Sequence, residues 1–115
     1  MTRPAIDPVR YAELQDTAGD DFVVELVDTF LQEAPAMLAE LRAARTARDA
    51  DRFRRAAHSL KSNGHTFGAL ALGALARDLE LAGMSADAAQ DAVRLDALEA
   101  EYTRAAAALK ALRHG

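Results

Sequence analysis

The stretch Phe53-Arg54-Arg55-Ala56-Ala57-His58-Ser59-Leu60-Lys61-Ser62-Asn63-Gly64-His65-Thr66-Phe67-Gly68 decides the fold. Its apolar and small residues Phe53, Ala56, Ala57, Leu60, Gly64 and Phe67 recur at three- and four-residue steps, the period of one helix face. Asp49 or Asp51 stands where a helix begins, and Gly68 where one stops. An amphipathic helix must bury its stripe against other elements. At about 100° per residue, His58 lies roughly 150° from the centre of that stripe, so it points to solvent. Arg54, Arg55, Lys61, Ser62 and His65 share its side.

The same period continues on both flanks. Upstream, Asp7-Pro8 reads as a cap followed by proline at the first helical position, opening a short helix to about Ala18 with Gly19 as its stop. Asp20 or Asp21 is expected to cap the next helix, with Phe22, Leu26, Phe30, Met37 and Leu41 on its inner side. Pro35 is expected to kink or divide that helix, because proline removes a backbone hydrogen bond and crowds the preceding turn. Downstream, residues 69–82 place Leu72, Leu75 and Leu79 inward before Gly83. Ser85 is a candidate cap for a last helix carrying Leu95, Leu98, Tyr102, Ala105, Leu109 and Leu112 at near-heptad spacing. Short connections favour antiparallel neighbours. The expected architecture is all-α: an antiparallel up-down four-helix bundle with a short additional N-terminal helix, in one domain over residues 1–115.

Composition agrees. The 115 residues include 28 alanines and only 3 prolines, and alanine is the strongest helix former. Net charge is −4, which argues against nucleic acid, whose phosphates demand clustered cations. The absence of cysteine removes disulfides, thiolate metal sites and cysteine nucleophiles. No apolar run approaches the roughly 20 residues that cross a bilayer, and Met1-Thr2-Arg3-Pro4 lacks a signal-peptide apolar stretch. The default expectation is a cytoplasmic monomer without membrane contact.

Three histidines are present: His58, His65 and His114. His114 stands next to the C-terminus, is expected to be disordered and receives no role. Lys61 follows His58 by three residues and Arg54 precedes it by four, so both are its neighbours on the helix surface. Two cations beside an imidazole favour its neutral form and attract a phosphoryl group or an acidic partner surface. A neutral imidazole with a free nitrogen is a competent nucleophile.

The run Ala57-His58-Ser59-Leu60-Lys61, then Gly68, then Leu72, Leu75 and Leu79-Glu80 resembles the signature of the histidine-containing phosphotransfer (Hpt) domain family. That signature reads A-H-x-L-K-G, a glycine ten residues after the histidine, and a leucine-rich helix ending in L-E or L-Q. The run Leu26 to Phe30-Leu31, then Leu38 and Leu41, then Asp49 to Phe53 is similar to the family's preceding hairpin. The resemblance covers about residues 20–83, and the final helix fits by pattern.

The resemblance implies roles residue by residue. His58 would accept the phosphoryl group on Nε2, Lys61 would steady the phosphoryl oxygens, and Glu80 would accept from Nδ1 and fix the tautomer. Gly68 would serve the turn. Ser62 departs from the family's glycine, and its hydroxyl is available to the phosphoryl group. His65 departs from a common small residue, and three readings stay open for it: crowding the docking partner, donating to the phosphoryl group, or a tolerated surface residue; Gly64 before it eases helix packing. Receiver domains of a response regulator or hybrid kinase are the implied partners, and they would supply an acidic pocket with its Mg²⁺. The chain itself would need no cofactor. Arg54, Ser62 and His65 would line the docking surface, together with Ile6 and Val9 on the first helix and Leu31 and Leu38 on the second.

With no glycine-rich phosphate loop and no kinase motif set, the chain reads as a phosphocarrier rather than a kinase. A metal site at His58 and His65 is disfavoured. Seven residues separate them by about 10 Å along the axis, too far for one ion with Zn–N bonds near ~2 Å. A helical-bundle adaptor without phosphotransfer is the competing reading. Whether the chain is free-standing or part of a larger kinase is open in the sequence.

Overall fold

The first helix starts as its opening residues require. The Asp7 carboxylate accepts from the Val9 amide at 2.9 Å, and Pro8 occupies a position whose N–H would have no helical partner. A computed structural model describes residues 4–113 as five helices. They are α1 (Pro8–Ala18), α2 (Asp20–Ala47), α3 (Ala50–Phe67), α4 (Leu70–Ala82) and α5 (Ala88–Arg113). His114 lies outside the described residues.

Four corrections to the sequence reading concern ends and faces. Gly19, at φ +91°, precedes α2 as its cap, and Asp20 and Asp21 lie inside the first turn, where carboxylates meet the positive end of the helix dipole. Pro35 does not divide α2, which runs unbroken for 28 residues. The inner row of α2 is Val23, Val27, Phe30, Ala34, Leu38, Leu41 and Ala44. Phe22 is about half exposed, while Leu26 and Met37 flank the core. The last helix is capped by Asp87, whose carboxylate accepts from the Ala89 and Gln90 amides. Ser85 stands before it and accepts from the Asp87 amide.

The packing order is a closed ring. α2 lies against α3, α3 against α4, α4 against α5, and α5 returns to α2; α1 crosses onto α2 and α3. This is the expected four-helix bundle with its extra N-terminal helix. Phe30 sits at its centre, with ring centroids 5.3 Å from Phe67 and 5.8 Å from Tyr102, so one α2 aromatic joins α3 and α5. Ion pairs staple the outside: Arg52 to Glu40 between α3 and α2, and Arg42 to Asp96 and Glu99 between α2 and α5. No helix among the described residues is long and apolar enough to cross a membrane.

Among the described residues Asp91 is the buried charged residue, and periodicity did not reveal it. It is fully buried, yet Arg45 Nε reaches it at 2.6 Å, Arg94 Nη1 at 2.9 Å, and the Ser85 amide donates at 3.0 Å. Burial alone would raise its pKa, but the Ser85 amide and the two guanidiniums hold it below the ordinary value. The group ties the α4–α5 connection to α2 and α5.

Candidate functional site at the α3–α4 seam

All six residues of the α3 stripe, Phe53, Ala56, Ala57, Leu60, Gly64 and Phe67, are buried. That burial turns His58 outward, with 56% of its side chain exposed. The Asp49 carboxylate starts α3 by accepting from the Arg52 amide at 3.1 Å. Gly68 ends it in the left-handed region at φ +78°. The site therefore stands mid-helix on a capped, well-buried element.

α4 brings the second half. Gly64 of α3 meets Gly73 of α4 so closely that a Cβ on residue 64 would lie 3.0 Å from the Gly73 nitrogen and 3.1 Å from its Cα. Two helices at that separation bring their flanking side chains into hydrogen-bond range. Glu80, with only 13% of its side chain exposed, reaches His58 through Oε2 at 2.5 Å from Nδ1. Its other oxygen, Oε1, pairs with Lys61 Nζ at 2.7 Å. The Lys61 contact, helped by His58 and opposed by burial, lowers Glu80's pKa, so the group is a carboxylate near neutrality. An ionised carboxylate only accepts. Nδ1 of a neutral His58 therefore carries the proton, and the lone pair is left on Nε2.

The positive patch expected around His58 is only partly offset by neighbouring carboxylates. Arg54 and Arg55 both reach Asp51, at 2.9 and 3.2 Å, and Lys61 is held by Glu80. The Asp51 spacing, three and four residues before the two arginines, was the available signal.

The sequence-derived docking residues divide. Val9, Arg54, Ser62 and His65 are exposed, and Leu31 is partly buried against the core. Ile6 and Leu38 are corrected: at 4% and 8% exposed they belong to the core, Leu38 because the inner row of α2 passes through it. Gly68 serves the turn, and it also lets α1 approach. The Asp7 amide donates to its carbonyl at 2.8 Å, and a Cβ there would lie 2.9 Å from Arg10 Cβ.

Comparison with known proteins bears on the family and the fold. The Hpt domain model matches residues 25–108, which carries the likeness past the sequence motif and into α5. The chain belongs to the Hpt domain family. Its fold is similar to the crystal structure of histidine-containing phosphotransfer protein B (HptB) from Pseudomonas aeruginosa PAO1, with a TM-score of 0.82 and 27% identity, covering 98% of this chain and 97% of that one. No curated protein sequence matches the chain. The Hpt family comprises phosphocarriers in phosphorelay signalling rather than kinases.

Proposed function

We propose that this Hpt domain accepts a phosphoryl group on His58 Nε2 from the aspartyl phosphate of a receiver domain and passes it to the aspartate of another receiver. The observation that carries the reading is the Glu80 carboxylate at Nδ1 of His58, which in the neutral ring puts the lone pair on Nε2 of a side chain that is more than half exposed.

In the forward step the Nε2 lone pair attacks phosphorus. The bond from phosphorus to the aspartyl oxygen breaks, and the electron pair leaves on the receiver's carboxylate. The ring gains positive character, and Glu80 stands at Nδ1 to balance it. Lys61 has three donors on one nitrogen; one faces Glu80, and another is free to steady a phosphoryl oxygen. The receiver would supply the acidic pocket and its Mg²⁺. Arg54, Ser62, His65, Val9 and Leu31 remain candidates for the docking surface, without Ile6 and Leu38.

The test is phosphoryl transfer from a labelled receiver. Acid-labile, base-stable label on the wild type and on His65→Gln, absent from His58→Gln, is expected. Label surviving in His58→Gln overturns the assignment, and no label on the wild type leaves an adaptor bundle.

A further inference from the structure

Every cation on α3 is already paired: Arg52 with Glu40, Arg54 and Arg55 with Asp51, and Lys61 with Glu80. Among the described residues, Arg10, Arg48, Arg77 and Lys110 enter no ion pair. Of these, Arg77 is the one the fold brings to the reactive seam. It lies on α4 between two cross-helix contacts, three residues before Glu80, which holds His58, and four after Gly73, which lies under His65. At about 100° per residue it stands ~50° from the line of those two residues, toward solvent, and it is exposed.

Its surroundings suit a protein surface better than a lone phosphate. Leu81, one turn on, is 69% exposed, and Leu70, two turns back, is 42% exposed. Helical side chains lean toward the N-terminus of their own helix. Arg77 thus leans toward Gly73 and His65, away from the Nε2 that would carry phosphorus. The carboxylates nearby are committed or turned aside: Glu80 is held by Lys61 and His58, and Asp78 projects about 100° further round α4. At the far end of the strip Glu13 lines the same cleft as Arg10 and His65, so Arg10 is partly offset there and Arg77 is not.

We propose that Arg77 is a specificity-determining docking cation, flanked by Leu70 and Leu81, that receives an acidic group on the receiver surface while the receiver's aspartyl phosphate faces His58. This rests on the relay reading. A rim charge of this kind acts mainly on encounter and is screened by salt.

The experiment compares Arg77→Ala, Arg77→Lys and Arg77→Glu with Lys110→Ala. The last removes the same charge from α5, which packs on α2 and α4 and stands across the bundle from α3. Each variant is labelled in two ways: by the host's phosphorylated receiver domains, and by phosphoramidate, a donor with no protein surface that releases ammonia as phosphorus bonds to Nε2. With receiver as donor, Arg77→Ala is expected to transfer about three- to tenfold more slowly at low salt, Arg77→Glu more slowly still, and Arg77→Lys close to wild type. Lys110→Ala stays at the wild-type rate, and phosphoramidate labelling is equal in all five proteins. Equal receiver rates for Arg77→Ala and Lys110→Ala overturn the proposal. So does a slowed phosphoramidate reaction in Arg77→Ala, which would put the guanidinium on the phosphoryl group. Wild-type protein labelled by phosphoramidate but by no receiver overturns the relay reading, and the docking role with it.

Discussion

The imidazole of His65 lies over Gly73: a Cβ on residue 73 would come within 2.6 Å of His65 Cδ2 and 2.8 Å of Nε2. This contact stands seven residues along α3 and seven back along α4 from the His58–Glu80 contact, so two histidines are held against α4 one heptad apart. The neighbouring Gly64 faces backbone instead, with Gly73 and Ala69 atoms at 3.0–3.1 Å from its would-be Cβ. The two glycines should respond differently to alanine. Gly64→Ala must push α4 away and is expected to destabilise by about 1–3 kcal/mol. Gly73→Ala meets an exposed side chain that can swing aside. With the helix propensity of alanine in its favour by about 1 kcal/mol, it should be close to neutral, and more stable still with His65→Ala. Urea denaturation of the three variants checks this, and a Gly64→Ala protein as stable as wild type would refute the close backbone contact.

Glu80 is expected to matter to reactivity more than to folding. Glu80→Ala removes the acceptor at Nδ1, so the proton redistributes toward Nε2, which then has no lone pair to offer. Phosphoryl transfer should fall about ten- to a hundredfold, the effect seen when partners that orient other imidazoles are removed, while the helical circular dichroism persists. Because Lys61 lowers the Glu80 pKa, the orienting carboxylate is present above the ordinary carboxylate range and is lost as pH falls through its lowered value. Nitrogen chemical shifts of His58 in wild type and variant report the tautomer directly, and identical shifts would sink the orienting role.

Much of this was legible in the residues themselves, for reasons that differ by element. The α3 stripe is legible because its six inward positions repeat at helical spacing and the residues between them are all polar. In α2, Phe22 and Val23 both fit an apolar period, but Val23 shares the row of Val27, Phe30 and Ala34, and that register is set by the neighbours it packs on. Ile6 and Leu38 looked like surface because one strand of sequence does not show what covers it. Glu80 could be placed beside the α4 stripe, whereas its simultaneous hold on Lys61 depends on how closely Gly64 lets α4 approach. Asp91 was illegible: an acid in the first turn of a helix is ordinary, and its partner Arg45 lies on another helix.

Gly68→Ala tests the link between the α3–α4 turn and the first helix. The left-handed φ of +78° costs a residue with a Cβ about 1–2 kcal/mol. The added methyl would also lie 2.9 Å from Arg10 Cβ and 3.0 Å from the Asp7 carbonyl oxygen. The expected result is a lower melting temperature together with faster amide exchange in α1, which loses its seat. Exchange confined to the turn, with α1 as protected as in wild type, would show that the two are not coupled.

Asp91 provides a test of the buried charge cluster, which is remote from His58 in role. Replacing it with asparagine leaves Arg45 and Arg94 facing each other without the carboxylate that joins them, and breaking a buried pair in this way costs about 3–5 kcal/mol. The folded-state pKa of Asp91 lies below its ordinary value. Its stabilisation is therefore fully present above the ordinary carboxylate range and is lost as pH falls through the lowered one. Asp91→Asn has no such group to protonate. The gap in unfolding free energy between wild type and variant should be widest near neutrality and close progressively in acid, as the wild type loses what the variant already lacks. Denaturation followed by circular dichroism across that range measures the gap, and a difference that stays constant with pH would mean that the carboxylate's charge contributes nothing to holding α2 and α5 together.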